Sequence, residues 1–581
     1  MSARGRRSHR ADAAAPAVAR GFPRGVFLGA CALALAIAVL AAAHGAWTCD
    51  DAFISFRYAE NLVRGHGLVF NAGERVEGYT NFLWTMLVAL GLRLGADAEA
   101  WAIVWGIAAY AGAVALLAFH ARRRTGEPAA FALPIAALLA AVHPDWQRFA
   151  TSGLETSLFT ALLVLGYVLL LARTRTTTAS ASAGVALALA TMTRPEGLIF
   201  AALAAAFIGW FRRSGRALAA FALAFLALWI PFTIWRVAYY GDFFPNTFYA
   251  KSGGQAWWDQ GVFYAQLYFQ KYWLLAAALP ALWAAVALQQ MALPRRRRFR
   301  DRAEMAEPAL ATAFAAGLLL YVTRVGGDFM FARMLIPVTP FLLVLAELVL
   351  TPVLAWRWNV GLAATALALA ALEWSPEPIW GTEQVAGITN EWAWYPDSLT
   401  AAERRMGTTL GRYLAGTPAI VAFWGGGARI TYYARPAVAI ESEAGLTDRL
   451  IARQKLETRG RVGHEKHATL DYLVRQRRAD LALHTDAPLS DSLPNVYADF
   501  GGTKCRLLHW NPALVAEWRR RGARVEDFPR LLDTAIASMP RHAEAQVAAA
   551  YVRARRFYFD FVSDSARERP FLARLGAHPA P

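Results

Sequence analysis

At 581 residues, 56% of them hydrophobic and with 33 Phe and 21 Trp, the chain is too apolar for one soluble fold and too long for one domain. A formal net charge of +17 would suit a nucleic-acid partner, but no nucleic-acid recognition motif accompanies it. Composition therefore reads as a multispanning membrane protein with a soluble part attached.

Residues 1–25 are Arg-rich, with Arg4, Arg6, Arg7 and Arg10, and lead into an apolar run from Val26 to about Ala43. The run is longer than a secretory signal core, no clear small-residue cleavage site precedes Asp50, and further spans follow. It is read as an uncleaved first span, with 1–25 as a basic cytoplasmic N-terminus. Apolar stretches near 26–46, 99–119, 129–143, 156–172, 181–193, 197–211, 217–236, 273–293, 308–323, 335–355 and 358–373 predict about eleven spans, making 26–374 an all-α polytopic membrane domain. Several are short. A 14-residue run rises only about 21 Å against a hydrocarbon core of about 30 Å, so flanking residues must extend those helices or the bilayer must thin.

Basic clusters at Arg122 to Arg124, Arg173 and Arg175, Arg212, Arg213 and Arg216, and Arg295 to Arg298 with Arg300 and Arg302 mark cytoplasm-facing loops by the positive-inside rule. Counting Asn81 to Gly95 as a span would reverse every later loop. That stretch is short, carries Arg93, and begins with Tyr79 and Trp84 at interfacial spacing, so it is read as a helix lying along the outer surface. The segment around Trp257, Trp258, Tyr264 and Lys271 reads the same way. Residues 375–581 then form an extracytoplasmic domain. A helical run at Ala401 to Leu414, a strand at Ala419 to Trp424, a glycine turn at Gly425 to Gly427 and a strand at Pro436 to Ile440 predict an α/β fold, with helices dominating from about Asp527. The three cysteines, Cys31, Cys49 and Cys505, have no metal-ligand spacing, and a Cys49–Cys505 pair is left open.

The same threading puts six polar segments on the outer face: D-D-A-F-I-S-F-R-Y at 50–58, E-G-Y-T-N at 77–81, S-G-L-E-T at 152–156, T-R-P-E-G at 193–197, Y-Y-G-D-F-F-P-N-T-F-Y-A-K at 239–251 and G-G-D-F-M-F-A-R at 326–333. Inner loops carry arginine runs, whereas these mix carboxylates, amides, tyrosines and single cations. Charges this near a bilayer are costly to bury, so they pair with each other or with a charged substrate. No D-x-D triplet, of the kind nucleotide-sugar transferases use to hold metal, occurs. The glycines at 425–427 lack the last glycine of a dinucleotide fingerprint, and H-E-K-H at 464–467 is not H-E-x-x-H. Glu347 sits within a span far from the outer segments and is read as part of a buried structural pair.

D-D-A-F-I-S-F-R-Y followed by E-G-Y-T-N-F-L-W resembles the amino-terminal signature of the mycobacterial terminal β-(1→2)-arabinofuranosyltransferase group, within the C-type (GT-C) glycosyltransferase superfamily. T-R-P-E-G, P-N-T-F-Y-A-K, G-G-D-F-M and, in the tail, G-L-T-D-R with G-H-E-K at Gly463 to Lys466 extend the resemblance over most of the chain. It implies a polyprenyl-phosphate sugar donor, transfer with inversion at the outer face of a bacterial inner membrane, and a cell-envelope glycan or glycolipid acceptor. Arabinofuranose as the sugar presupposes an actinobacterial-type envelope.

An inverting transfer needs a carboxylate to take the acceptor hydroxyl proton. Asp50 and Asp51 are both candidates; successive helical residues point about 100° apart, and Asp50 is favoured slightly, with Asp51 binding sugar or a cation. The leaving phosphate needs positive charge, for which Arg57, Arg194, Lys251, Arg324 and Arg333 are the lone outer cations, although any one also fits a snorkelling anchor. His66, Glu77, Tyr79, Asn81, Glu155, Glu196, Asn246 and Asp328 are candidate sugar or acceptor contacts, as are His464, Glu465 and Lys466 from the tail. Asn81 equally suits a helix cap, and Glu155 a helix-dipole role. No cofactor is required, and a divalent cation between Asp50, Asp51 and Glu155 is left open. The rival readings are transfer of another lipid-linked sugar to lipopolysaccharide or protein, and a transporter of lipid-linked sugar.

Overall fold

The computed structural model describes residues 23–124, 133–172, 176–292, 302–483 and 492–576. The arginines at 4, 6, 7, 10, 173, 175, 295–298 and 300 lie outside the described residues. Up to Gln384 the named elements are helical: α1 (Arg24–His44), α2 (Ala52–Val63), α3 (Phe82–Arg93), α4 (Ala98–Arg124), α5 (Ile135–Ala141), α6 (Pro144–Ala150), α7 (Thr156–Leu170) and α8 (Thr177–Thr193). They continue as α9 (Gly197–Phe207), α10 (Gly215–Tyr240), α11 (Asn246–Ala250), α12 (Trp258–Lys271), α13 (Trp273–Ala292), α14 (Arg302–Val325), α15 (Thr339–Trp356) and α16 (Trp358–Glu373). Local chemistry sets the starts. Thr176 accepts from the Ala179 N–H and Ser214 from that of Ala217, each at 3.2 Å, which satisfies an amide left free at the first turn of α8 and α10.

Each apolar stretch predicted from the sequence contains a helix. Six of the described helices, within α1, α4, α10, α13, α14 and the segment Ile336–Leu354, are long and apolar enough to cross a membrane by length and composition. The others are shorter, α5 having seven residues and α7 fifteen. Helix α3 has twelve residues, roughly 18 Å and well short of a bilayer core. Lys271, expected at an interface, is instead 1% exposed and ion-paired with Asp145 (3.0 Å) and Glu377 (2.7 Å). Glu347 accepts from the Ala136 N–H at 2.6 Å, satisfying a free amide at the start of α5.

The polar segments gather at one end of the helical part. Cys49 N–H bonds to Ser152 O, Asn246 N–H to Glu77 O and Trp257 N–H to Arg324 O, at 2.8 to 2.9 Å. The opposite ends hold Arg212, which donates to Ser180 Oγ at 2.8 Å, and a His120–Glu307 contact at 2.8 Å.

The C-terminal part folds onto the polar end. A hairpin of β1 (Gln384–Val385) and β2 (Ile388–Thr389) leads in, and Thr389 joins the 326–333 segment through N–H to Phe329 O at 2.7 Å and O from Phe331 N–H at 2.9 Å. Helix α17 (Asp397–Leu414) precedes β3 (Ile420–Phe423), α18 (Ala428–Ala434) and β4 (Val438–Glu441). With β5 (Leu481–Ala482), β6 (Tyr497–Phe500), β7 (Thr503–Leu507) and β8 (Arg524–Val525) these form a six-stranded sheet ordered β4-β3-β5-β7-β6-β8. Strand β3 runs parallel to β4 and β5, and the remaining pairs are antiparallel. Gly501 and Gly502, at φ +66° and +97°, make the two-residue β6–β7 turn that only a positive-φ pair closes with the right twist. The exposed edge of β4 is covered by Asn71, whose amide pairs with both N–H and C=O of Ala439 at 2.9 Å, so the edge offers no open template. All three cysteines are free, Cys49 and Cys505 both being buried, so the Cys49–Cys505 pair left open from the sequence is not formed.

Candidate active site

The chain leaves α1 at His44 and enters α2 at Ala52, so Asp50 and Asp51 lie at its first turn. Their carboxylates have different surroundings. Asp50 is buried and turned to the tail: Oδ1 accepts from Arg429 N–H at 2.8 Å and Oδ2 from Ala428 N–H at 3.0 Å. The Arg429 guanidinium returns the contact, donating to Thr48 O (2.5 Å) and pairing with Glu403 (2.6 Å). Burial pushes the Asp50 carboxyl up to about 6, with the two backbone bonds and the Arg429 charge opposing it. The chain after the glycine turn at 425–427 therefore brings the amides of Ala428 and Arg429 onto Asp50.

Asp51 is half-buried, and its carboxylate accepts no hydrogen bond and forms no ion pair among the described residues. It lies within electrostatic reach of Arg333, Glu391 and His464. Glu391, which no sequence signal marked, accepts from Thr389 Oγ1 at 2.9 Å and Tyr395 OH at 3.3 Å. Burial first, and the Asp51 charge after the Thr389 bond has opposed it, push Glu391 up to about 7.

Beside the pair runs a row of buried charges. Glu155, at the start of α7, takes Arg194 on Oε1 (2.8 Å) and Asn81 on Oε2 (2.9 Å), and Arg194 also binds Glu196 at 2.9 Å. Burial alone would raise the Glu155 carboxyl, but Arg194, Arg333 and Asn81 outweigh it and hold it below the usual range. Asn81 also exchanges bonds with Ser55 at 3.1 Å and makes no capping bond to α3. Arg333 is buried against Asp328 at 2.7 Å.

Several candidates are engaged in holding the structure together. Arg57, expected as a phosphate cation, is buried and donates to Phe70 O (2.8 Å) and Pro436 O (3.0 Å). Asn246 donates to Gly445 O and Leu446 O at 2.9 and 2.8 Å. Lys466 binds Tyr249 O and Ala452 O, both at 2.6 Å, and Glu465 pairs with Arg459 at 3.2 Å. Glu77 is buried against Arg236 at 2.5 Å, its carboxyl pushed up to about 7 by burial with Arg236 opposing. Tyr79 meets Tyr240 OH at 3.1 Å. His66 is exposed, and it makes no side-chain hydrogen bond among the described residues. Lys251 and Arg324 are exposed and form no ion pair among the described residues. With both oxygens of Asp50 and of Glu155 taken, the cation position left open between Asp50, Asp51 and Glu155 has little free ligand capacity, and no group of three metal-binding side chains converges among the described residues.

Helices of spanning length, a polar end and a tail folded over it define a multi-pass membrane protein. The fold is similar to that of ArnT from Cupriavidus metallidurans, solved bound to undecaprenyl phosphate, at a TM-score of 0.51 and 14% identity over 73% of this chain and 87% of that one. This agrees with the helical membrane domain expected from the sequence. Among curated proteins the chain is similar to the terminal β-(1→2)-arabinofuranosyltransferase of Mycobacterium tuberculosis, 31% identical over 376 residues, covering 57% of this chain and 58% of the relative. It is likewise similar to the enzyme of that name from Corynebacterium glutamicum, 32% identical over 365 residues, 57% of this chain and 52% of the relative. The chain thus spans a little over half the length of the curated relatives it matches. No protein-family model matches it.

Proposed function

We propose that the chain is an inverting glycosyltransferase that moves a sugar, arabinofuranose by analogy with its curated relatives, from a polyprenyl phosphate to an envelope glycan or glycolipid at the outer face of the inner membrane. The observation that carries this reading is Asp51, a carboxylate without a protein partner among the described residues, set where the polar segments meet the tail. Open to an incoming acceptor, it takes the proton of the attacking hydroxyl as the anomeric bond to phosphate breaks. Asp50 has no oxygen to spare for that task and fixes the turn on which Asp51 stands. The undecaprenyl phosphate bound by ArnT supports a lipid-phosphate donor, and the curated relatives support arabinofuranose. A transporter would place its polar groups near mid-membrane on broken helices, whereas here they gather at one end of the helices.

The direct test is transfer in detergent from a polyprenyl-phosphate arabinofuranose to an arabinan oligosaccharide. Transfer from another polyprenyl-phosphate sugar alone would change the sugar; no transfer from any would sink the reading. The sidedness has its own test. Single cysteines near Arg123 should be shielded from an impermeant thiol reagent in intact cells, and those near Gly197 and Ser252 should label. The reverse pattern would put the polar end in the cytoplasm.

A further inference from the structure

We propose that Trp392 and Trp394, at the entry to the tail, form the subsite on which a sugar ring of the acceptor glycan stacks. This rests on the glycosyltransferase reading above and names the groups that would hold its acceptor. Both tryptophans stand on a short 3₁₀ helix, Glu391–Trp394, that begins just after β2. Such a helix has three residues per turn, so Trp394 falls on the same face as Glu391. That is the face toward Asp51, whose charge acts on the Glu391 carboxyl. Tyr395 makes the same connection: its hydroxyl reaches Glu391 at 3.3 Å, and its ring stacks at 5.9 Å on Trp47, four residues before Asp51.

The short helix is fixed from behind. Thr389 donates its N–H to Phe329 O at 2.7 Å, and its hydroxyl bonds Glu391 at 2.9 Å. The Arg148 guanidinium lies over the Trp392 ring at 4.9 Å and is itself held by Glu377 at 2.7 Å and Asp145 at 3.2 Å. The two indoles nevertheless remain 40% and 39% exposed, and neither indole N–H has an acceptor among the described residues. Trp394 also makes no ring or cation contact among them. Fixed, half-exposed indoles suit a sugar. The negative face of the ring meets the C–H face of the sugar, and the N–H at its edge bonds a hydroxyl. Trp374 and Trp380 differ: they are more exposed and follow α16 directly, where an aromatic belt at a membrane surface would lie. Trp392 and Trp394 come after the β1–β2 hairpin and share their helix with a carboxyl, which is costly at a lipid contact. Their position beside Asp51 therefore favours a glycan over lipid.

The test is steady-state transfer by the purified full chain in detergent, varying the arabinan oligosaccharide at saturating polyprenyl-phosphate arabinofuranose. Trp392→Ala and Trp394→Ala should each raise the acceptor KM roughly tenfold. The kcat should change far less, as expected when ground-state binding is lost, and the donor KM should hold. Trp394→Tyr keeps a ring with a polar tip and should recover most of the loss. Because Trp394 contacts no other ring or cation among the described residues, its variants stay informative if Trp392→Ala disturbs Arg148. Wild-type transfer with an unchanged acceptor KM in both alanine variants would overturn the subsite and leave the glycosyltransferase standing. A fall in kcat with KM held would overturn it too, as a disturbance of Asp51. Activity unchanged in detergent but lost in liposomes would replace the glycan by a lipid contact. No wild-type transfer to the oligosaccharide would remove the acceptor reading and the subsite together.

Discussion

Asp51→Asn should lower turnover by roughly two to four orders of magnitude, the usual worth of a general base, while expression and the protease resistance of the tail stay as in the wild type. The amide keeps the size and the neighbours of the carboxylate but cannot accept a proton. Since the Asp51 carboxylate makes no hydrogen bond or ion pair among the described residues, removing its charge breaks no contact that holds the fold. Asp50→Asn differs in kind. Asn has one acceptor oxygen where two backbone N–H groups, at 2.8 and 3.0 Å, need one each, and its own N–H would face one of those donors. Its loss of activity should come with a loosened tail. Measuring single-turnover rates with saturating donor, alongside digestion of the tail, separates the two. Near-normal turnover in Asp51→Asn with a normal tail would eliminate Asp51 as the base.

Sequence periodicity located much of the fold because the patterns were local. The strand expected at 419–424 runs Ile420–Phe423, that at 436–440 runs Val438–Glu441, and the helix expected at 401–414 lies within Asp397–Leu414. Strands β5 and β8, of two residues each, are too short to carry an alternation and were not legible. The polar segments could be recognised as a set because each mixes charge types next to an apolar run. What each residue does within the set was not legible, because partners lie hundreds of positions away. Arg57 and Lys251 look alike as single cations in motifs, yet the first is bonded to backbone carbonyls, which no side-chain pattern encodes. Asp50 and Asp51 are adjacent, and only the position of Arg429, 379 residues further on, tells them apart. Arg429 itself sat in an unmarked A-R-I-T stretch.

Arg429→Met should free the tail from the polar end and lower the thermal transition of the whole chain. Arg429 is fully buried, and its guanidinium joins Glu403, Thr48 O and, at 3.8 Å, Glu99, with Phe53 beneath it at 4.9 Å. Met keeps much of the volume but leaves Glu403 without its closest cation and Thr48 O without its donor. Removing one partner of a buried pair costs about 3–5 kcal/mol, because the charge left behind stays desolvated. Arg429→Lys keeps the charge but loses the planar fork that reaches Glu403 and Thr48 O together, so it should fall between. Limited trypsin digestion reads the effect directly: cleavage among Arg404, Arg405 and Arg412 should speed up in Arg429→Met. Turnover should fall as well, since Asp51 stands one residue from the aspartate that the tail holds. In Asp51→Asn the tail should stay protected, so the two variants separate chemistry from docking. A tail as resistant in Arg429→Met as in the wild type would mean that Arg57, Asn71, Asn246 and Lys466 hold it without help. The buried guanidinium would then contribute nothing to the seam on which Asp51 depends.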